Sequence, residues 1–566
     1  MKIKEPRWRI LFLFLIFILA FFIIWARLFF IQARSFTKYQ DLARAQHFES
    51  FTYFANRGTI FDWDDEQVAI SIEESTIYAN PYLILNPHDA AQELASITGA
   101  DVNELYEKLA AKDKGFVYIA RKVPSYISQT VMDLKIEGIY TIPEYKRYYP
   151  YEDLASQLIG FVGTDNVGLS GIELTYEKEL HGMDVAVEAE KDSLGRPIPG
   201  SYGTEKEPIN GSDIYTTIDS DVQYFSEQVL KKVVSDNAAK CAVAVVMDPH
   251  SGEVIAMASY PTFDLNNFSN VDASLMKNLG ASFTFEPGSI FKPIVVSKAL
   301  DWGCVNTGDI FNLPPTIKTG DKYIKEPHRS QTVDYSVSDI LVNSSNVGAA
   351  VIGMKMGKDK LNEAILDFGF GKQTGIDFIG EESGIVVDPK DWGASMIGAL
   401  PIGQGVMVTP IQIAVAYSAI VNGGHLVKPY IVHKVVDPYG KEQEIGGDVE
   451  PIQAMSSDTS RLMTEILRKV ITDGTGQMAA LDGYTAGGKT GTAQKVDSDG
   501  TGYDEGRNVV SFVGFAPAQE PEIVVVIIVD EPSAQSGPVW GGTISAPVFK
   551  EIAEFTLLHL KVQPDK

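Results

Sequence analysis

One short segment decides how the rest of the chain is interpreted: Phe285-Glu286-Pro287-Gly288-Ser289-Ile290-Phe291-Lys292-Pro293. Gly288 can turn the chain into a helix, and Ser289 and Lys292 then lie three residues apart on one face. A serine hydroxyl is a weak nucleophile until a base takes its proton, and a neutral lysine amine can be that base. Burial and a helix N-terminus both lower a lysine pKa. The same spacing also occurs by chance at ordinary helix starts, so other segments must support a catalytic role.

Two later segments give that support. Ser344-Ser345-Asn346 lies between apolar helical patterns at 337–342 and 347–356, and Lys489-Thr490-Gly491-Thr492 precedes a strand-rich C-terminal region. Taken alone, each has an ordinary interpretation as a helix cap, a solvated lysine or a turn. Together they give S-x-x-K, S-x-N and K-T-G in the order found in active-serine penicillin-recognising enzymes. The sequence therefore resembles the class B, monofunctional penicillin-binding transpeptidases.

The resemblance implies a role for each residue of the first two motifs. Ser289 would attack the carbonyl between two terminal D-alanines of a peptidoglycan stem peptide, with Lys292 as general base. Ser344 would relay a proton to the leaving D-alanine, and Asn346 would hold the substrate amide or Lys292. The acyl-enzyme would then be attacked by an amine of a neighbouring stem peptide, which closes a cross-link.

The third motif would bind the substrate. Lys489 would place a fixed positive charge where a terminal carboxylate binds, and Thr490 and Thr492 would add hydroxyl donors. Gly491 would leave room beside the acyl group. The backbone N–H groups of Ser289 and Thr492 would bind the oxyanion. The resemblance implies β-lactams as covalent inhibitors and no cofactor.

Composition limits the other possibilities. The chain has 566 residues, of which 45% are hydrophobic and 22% charged, and three or four domains fit this length. A net charge of −26 argues against a nucleic-acid partner, which requires a basic surface. No His-Glu-x-x-His or paired Cys-x-x-Cys motif is present, so a metal site has little support. Cys241 and Cys304 give no disulfide framework, and whether they pair is left open; Cys241 begins an apolar strand.

The N-terminal segment predicts a membrane anchor. Residues 10–26 are continuously apolar and 28–31 extend the run, which gives a cytoplasmic tail at 1–9 and a transmembrane segment at 10–31. Basic residues before the run favour a cytoplasmic N-terminus and a catalytic domain outside the bacterial membrane. A cleaved signal peptide is the alternative, and the absence of a small-x-small site argues against it. The aromatic residues of the anchor suggest a partner surface, although lipid exposure explains them equally well.

Residues 35–205 are predicted to form a non-catalytic pedestal domain. The segment 56–62 resembles the family's Arg-Gly-x-Ile-x-Asp motif, but the acidic stretch 63–66 replaces the basic turn that follows it in the family. We expect Arg57 to be salt-bridged beside a glycine turn. Segments 147–150 and 168–173 resemble landmarks of the same pedestal, with scaffolding and partner contact as their role. A Gly- and Pro-rich strip at 195–203 predicts the domain boundary.

Residues 211–566 are predicted to form the transpeptidase domain, an α+β fold. Asp219 or Ser220 can cap a helix, and apolar strands at 241–247 and 253–259 form a hairpin that 509–516 and 523–529 repeat. A last helix is predicted over 546–560. An antiparallel sheet with packed helices, plus a helical subdomain carrying Ser289 and Ser344, agrees with the penicillin-recognising fold.

Further segments resemble family landmarks, so the likeness covers most of the chain: 403–412, 422–424, 540–542 and 546–549. The Ser344-Ser345-Asn346 motif and the plain C-terminus after Lys561 resemble the septal, cell-division type more than the elongation type. That type implies a membrane glycosyltransferase and other division proteins as partners.

Three alternatives stay open at this stage. Gly483-Tyr484-Thr485-Ala486-Gly487-Gly488-Lys489-Thr490 satisfies the P-loop pattern, although no β-branched strand precedes it and a loop composition follows it. A D,D-carboxypeptidase or β-lactamase would keep the fold and pass the acyl group to water. A scaffold that only recruits division proteins would need no nucleophile, so the complete set of motifs argues against it.

Overall fold

A computed structural model describes residues 7–112, 114–190, 207–327, 329–447, 450–497, 502–533 and 538–566. Contacts within the chain divide it into two compact units. The first comprises Met1–Ala55, Glu74–Glu144 and Met183–Ile209; the second comprises Asn56–Glu73, Tyr145–Gly182 and Asn210–Lys566. The domain limits expected from the sequence, 35–205 and 211–566, stay predictions, and the boundary strip at 195–203 lies outside the described residues.

The helices are, in chain order, α1 (Arg7–Phe29), α2 (Phe36–His47), α3 (Pro87–Thr98), α4 (Val102–Ala110), α5 (Ser125–Asp133), α6 (Ser156–Ile159), α7 (Gly171–Thr175), α8 (Glu177–Leu180), α9 (Ser220–Asp236), α10 (Leu279–Ser282), α11 (Lys292–Asp301), α12 (Val337–Val342), α13 (Asn346–Met356), α14 (Lys358–Asp367), α15 (Met396–Ala399), α16 (Pro410–Val421), α17 (Ser457–Thr472) and α18 (Gly541–His559). A π-helical turn spans Phe30–Arg34, and 3₁₀ turns span Gly288–Phe291, Pro389–Asp391, Leu400–Ile402 and Gln477–Ala479.

The strands are β1 (Phe48–Tyr53), β2 (Ile60–Phe61), β3 (Gln67–Ala79), β4 (Val117–Val123), β5 (Ile139–Tyr148), β6 (Val185–Glu190), β7 (Asp213–Thr216), β8 (Cys241–Met247), β9 (Val254–Tyr260), β10 (Ile310–Leu313), β11 (Thr316–Thr319), β12 (Lys322–Lys325), β13 (Val333–Ser336), β14 (Ile385–Val386), β15 (Val406–Met407), β16 (His425–Leu426), β17 (Val432–Val436), β18 (Glu442–Glu444), β19 (Ile452–Gln453), β20 (Gly487–Val496), β21 (Tyr503–Ala516) and β22 (Ile523–Asp530).

The first unit begins with an apolar helix. From Arg7 to Arg34 the chain is helical for 28 residues, long and apolar enough to cross a membrane, and no other helix among the described residues meets that test. Such a helix satisfies its own backbone hydrogen bonds, which a bilayer interior requires. The predicted span of 10–31 therefore lies within a longer helix. The polar segment that follows forms α2 and then β1, which pairs antiparallel with β6.

The rest of the first unit is a small α/β core. Leu94, Leu105 and Val131, from α3, α4 and α5, pack with Ile77 of β3 and Ile119 of β4. The helix ends follow local rules: Asp101 accepts the N–H groups of Asn103 and Glu104 to begin α4. This core contains none of the motif residues, which agrees with a supporting role.

A five-stranded antiparallel sheet lies at the centre of the second unit, in the order β20-β21-β22-β8-β9. Along β8, Ala242, Ala244 and Val246 face α9 and α18, whereas Val243 and Val245 face the helices that carry the motifs. Successive side chains point to opposite faces, so a continuously apolar strand is buried on both sides. Both predicted hairpins and the α+β fold class are confirmed.

Helix boundaries follow the sequence where local capping decides them. Asp219 accepts the N–H groups of Asp221 and Val222 and begins α9, as predicted. The last helix was predicted over 546–560, and its start is wrong: α18 begins at Gly541, five residues earlier. A Cβ at Gly541 would lie 2.3 Å from Gly491 O, so glycine lets the helix begin against strand β20 despite its poor helix propensity.

The expected ion pair at Arg57 is confirmed. Arg57 Nε lies 2.6 Å from Glu173 Oε2, and Arg147 Nε lies 2.6 Å from Glu173 Oε1. All three side chains are almost fully buried. Glu173 thus joins two of the segments that resemble the pedestal motif. The cluster has a structural role, because its charged groups form ion pairs with one another.

The two cysteines are free thiols, which answers the question that the sequence left open. Cys241 begins β8 as predicted and is half-buried. Burial, with a smaller contribution from Asp530, raises the pKa of the Cys241 thiol to about 12. At that pKa the thiolate is scarce at neutral pH, so Cys241 is a packing residue rather than a nucleophile.

Candidate active site

The turn that carries Ser289 is the start of a helix, as predicted, but its first turn is 3₁₀. Residues Gly288–Phe291 form the 3₁₀ turn and α11 continues from Lys292, so Ser289 and Lys292 lie one turn apart on a continuous helical path. Ser289 is half-buried, whereas Lys292 is fully buried. The nucleophile candidate can therefore meet a ligand while the amine next to it is shielded from solvent.

Lys292 connects the first motif to the second. Its Nζ donates to Ser344 O at 2.5 Å, to Ser344 Oγ at 3.2 Å and to Asn346 Oδ1 at 2.7 Å. Ser344 lies in the short connection between α12 and α13 and has a φ of 55°. A non-glycine residue rarely adopts this left-handed conformation, and such strain concentrates at functional sites. The conformation aims both oxygens of Ser344 at the amine.

Burial also changes the pKa of the Lys292 amine. It lowers the pKa of Lys292 to about 7, and the nearby Glu326 carboxylate partly opposes this effect. A buried ammonium loses its hydration, so the neutral form is favoured. Near pH 7 about half of the molecules therefore carry a neutral Lys292 amine, the form that can accept a proton.

The third motif lies in the middle of edge strand β20 of the central sheet. Lys489 is fully buried, and its Nζ donates to Thr490 O at 3.1 Å. Thr490 is buried as well and shares a 2.8 Å hydrogen bond with the hydroxyl of Thr475. Burial, and then the charge of Lys292, lower the pKa of Lys489 well below its ordinary value. Burial and the neighbouring Lys292 therefore oppose the fixed positive charge that the sequence analysis expects at Lys489.

Gly491 brings β20 against the turn that carries the serine. A Cβ on Gly491 would lie 2.2 Å from Ser511 Oγ, 2.9 Å from Ile290 Cγ2 and 3.2 Å from Pro287 O. The sequence predicted that glycine leaves room for an acyl group. The contacts give a different reason, because protein atoms already fill the space that a Cβ would occupy. Glycine is what allows strand and turn to touch.

The backbone of Thr492 lies beside the same turn. A Cβ on Gly288 would lie 3.1 Å from Thr492 O, so the backbones on either side of this contact are neighbours. Thr492 is exposed, and its Oγ1 accepts a hydrogen bond from Gly541 N at 3.2 Å. All eight predicted residues thus lie in one region, built by α11, the α12–α13 connection and β20.

Three residues of this region were missed by the sequence analysis. Tyr417 of α16 is fully buried and donates its hydroxyl to Ile290 O at 2.8 Å, which holds the turn that carries Ser289 in place. Gly403 packs so closely that its Cβ would lie 2.2 Å from Gly288 O. Glu326 accepts hydrogen bonds at the start of α13. No local pattern marks these residues, although 403–412 had been singled out by its resemblance to the family.

The P-loop alternative is wrong. A P-loop requires a helix after its lysine, with an open N-terminus for phosphate. Here Lys489 and Thr490 lie inside β20, which pairs with β21 from Gly487 to Val496. The lysine is buried against the protein interior. The pattern match is therefore accidental.

One group in the described part of the chain could hold a metal ion. Ligand atoms of Asp64, Asp219 and His559 lie within 4.8 Å of one another. Asp219 already caps α9, and its Oδ2 lies 2.8 Å from His559 Nε2. These contacts explain the group as a helix cap whose carboxylate is hydrogen-bonded to a histidine, so we assign it no metal.

Comparison with known protein families gives two matches. Residues 242–554 match the penicillin binding protein transpeptidase domain. Residues 52–216 match the penicillin-binding protein dimerisation domain. The first match contains every residue of the candidate site.

Individual proteins agree with these matches. The chain is 34% identical to stage V sporulation protein D of Bacillus subtilis over 99% of its own length and 87% of that protein. It is 31% identical to peptidoglycan D,D-transpeptidase FtsI of Escherichia coli over 90% of its length and 84% of that protein. Penicillin binding protein 3 of Mycobacterium tuberculosis, solved with aztreonam, superposes with a TM-score of 0.72 at 26% identity, covering 91% of this chain and 98% of that one.

Proposed function

Since this chain belongs to the penicillin-binding protein transpeptidase family, we propose that Ser289 is the residue that its substrates and β-lactams acylate. The protein is a serine-type D,D-transpeptidase of peptidoglycan synthesis, and its family binds stem peptides and β-lactams. Its site residues are assigned here by their contacts. The observation that carries the assignment is the set of three hydrogen bonds from Lys292 to Ser344 and Asn346.

In the acylation step, neutral Lys292 takes the proton of Ser289 Oγ as that oxygen bonds to the carbonyl carbon between two D-alanines. The N–H groups of Ser289 and Thr492 stabilise the oxyanion that forms. The proton then passes from Lys292 through the hydroxyl of Ser344 to the nitrogen of the leaving D-alanine, and the C–N bond breaks. Its 3.2 Å distance from Lys292 supports Ser344 as this relay.

Deacylation reverses these transfers with a new nucleophile. The amine of a neighbouring stem peptide loses a proton through Ser344 to Lys292 and forms an amide bond to the acyl carbon. Lys292 then returns the proton to Ser289 as the ester bond breaks. Atoms and charges balance with no cofactor, since the second peptide bond replaces the first.

Lys489, Thr490 and Thr492 bind the terminal carboxylate of the donor peptide. The carboxylate supplies the charge that stabilises Lys489 as an ammonium, against the burial and the neighbouring Lys292 that lower its pKa. Binding of an anion and protonation of Lys489 are thereby coupled. Thr490 and Thr492 complete the site with hydroxyl groups on the same strand.

A labelling experiment tests the assignment. Fluorescent penicillin should label the full-length protein covalently, Ser289→Ala should abolish the label, and the exposed control Ser274→Ala should keep it. Labelling of Ser289→Ala at the wild-type rate would refute Ser289 as the nucleophile. Release of the label within minutes, with free D-alanine but no cross-linked product from stem peptides, would favour the D,D-carboxypeptidase or β-lactamase alternative.

The apolar helix anchors the protein in the membrane. We place the N-terminus in the cytoplasm and the catalytic unit outside, because basic side chains precede the helix. Protease added to intact spheroplasts should digest the catalytic unit. Its protection there, with digestion only in inverted vesicles, would reverse the orientation.

The setting we propose is the division septum, with a membrane glycosyltransferase and other division proteins as partners. Similarity to FtsI of Escherichia coli supports this role. Similarity to stage V sporulation protein D supports a second candidate, wall synthesis during sporulation. Depletion should give filaments if the protein acts at the septum. Normal division with defective spores would favour the second role.

A further inference from the structure

Glu326 has a place in the site that no motif accounts for. It follows strand β12, and its side chain is 5% exposed. Its carboxylate accepts hydrogen bonds from Val347 N at 3.0 Å, from Asn346 N at 3.3 Å and from the hydroxyl of Ser345. These are the first residues of α13 and the residue before it. Glu326 therefore holds the second motif by three contacts.

Glu326 also acts on Lys292 through its charge. Anions are favoured at a helix N-terminus, where N–H groups lack partners, and the Glu326 carboxylate lies at such a place, at the start of α13. In the described part of the chain, Glu326 is the carboxylate whose charge raises the pKa of the Lys292 amine, against the larger effect of burial. Two further charges among the described residues bear on this pair of groups: Lys489 on β20 lies near Lys292, and Arg329 Nη2 lies 3.1 Å from Glu326 Oε1.

Resting on the proposed function of Lys292 as base, we propose that Glu326 is a positioning residue for the transpeptidation reaction. Glu326 holds the Ser344–Asn346 turn by accepting hydrogen bonds at the start of α13, and its negative charge increases the proton affinity of Lys292. The positive charge of Arg329, which pairs with Glu326, reduces this effect. Burial has the larger effect on Lys292, and this residue pair outside the three motifs then adjusts the acid limb of the reaction.

The charge effect has a definite sign. Replacing Glu326 by glutamine removes a negative charge near Lys292, so the ammonium is less stable and the amine becomes neutral at lower pH. Replacing Arg329 by glutamine removes a positive charge and leaves Glu326 unmoderated, so the ammonium becomes more stable. The two variants should therefore move the same pH profile in opposite directions.

The experiment measures the rate constant of Ser289 acylation by fluorescent penicillin from pH 5 to pH 9, using the full-length protein in detergent. Glu326→Gln should move the acid limb to lower pH by about half a unit or more, and Arg329→Gln should move it to higher pH. The matched control is Asp339→Asn. Asp339 caps α12 through Ser336 N at 2.9 Å in the same way but does not act on Lys292, so its acid limb should stay in place.

A purely structural cap would lower the melting temperature of Glu326→Gln and leave the limb unmoved, and that result would overturn the inference. If Glu326→Gln does not fold, Arg329→Gln decides, and the absence of an upward shift would overturn it. In both of these negative results Ser289 is still acylated by the fluorescent penicillin, so they do not contradict the proposed function. Failure of wild-type protein to acylate at Ser289 would instead refute the proposed function.

Discussion

Replacing Gly491 with alanine perturbs the contact on which the site's geometry depends. The new methyl group would lie 2.2 Å from Ser511 Oγ, 2.9 Å from Ile290 Cγ2 and 3.2 Å from Pro287 O. Ordinary contacts begin near 3.4 Å, and Ser511 is itself buried opposite Gly491 in the β20–β21 pairing. Strand and turn must therefore separate to admit the methyl group. Overpacking of this kind costs about 1 to 3 kcal/mol of stability.

The separation should cost more in rate than in stability. Thr492 follows Gly491 directly, so its N–H group moves away from Ser289 as the strand shifts. Loss of one oxyanion donor typically lowers the rate by about 10²- to 10³-fold. We expect Gly491→Ala to acylate with fluorescent penicillin about a hundred-fold more slowly than wild type. Stopped-flow labelling and thermal unfolding would measure the two effects separately.

Two further variants make the test specific. Ser511→Ala, combined with Gly491→Ala, removes the closest contact and should restore part of the acylation rate. Gly308→Ala is the control, because a Cβ at Gly308 meets nothing within 4 Å. Wild-type acylation by folded Gly491→Ala would refute the claim that this strand is in tight contact with the turn. The claim would also be refuted if the double variant acylates no faster than Gly491→Ala.

Three other predictions concern charge. Because burial lowers the pKa of Lys292 to about 7 and its neutral amine is the proposed base, the acylation rate should rise with pH up to about 7 and then level off; a flat profile from pH 5.5 to 8.5 would contradict this. In the wild-type protein Asn346 Oδ1 accepts a hydrogen bond from Lys292 Nζ at 2.7 Å, and Asn346→Asp puts a carboxylate in its place. This change should move the acid limb of that profile up by about one to three pH units; an unmoved or lowered limb would be inconsistent with the contact. Glu173→Gln leaves Arg57 and Arg147 buried without their shared carboxylate and should cost about 3 to 5 kcal/mol, measured as a lower thermal midpoint; an unchanged midpoint would show that the pairs contribute nothing.

Much of this fold could be predicted because its signals are local. Strand β8 is continuously apolar, which predicts burial on both faces, and Asp219 has the residue type of a helix cap. The candidate site could be assembled only because its three motifs come in a known order. Periodicity alone would have placed Ser289 on a helix without connecting it to Ser344 or Lys489.

The contacts that could not be predicted join residues far apart in the chain. Tyr417 donates to Ile290 O across 127 positions, and nothing near Tyr417 marks it among the apolar residues of α16. The start of α18 at Gly541 depends on the approach of β20, against the helix propensity of glycine. The charge state of Lys489 depends on burial and on Lys292, which a motif does not record.

The most direct test of the central claim is to map the β-lactam adduct by mass spectrometry of a proteolytic digest. We expect one adduct, on the peptide containing Ser289, with a yield that falls when Lys292 is replaced. An adduct on any other residue, or an intact and folded protein that takes up no β-lactam, would contradict it.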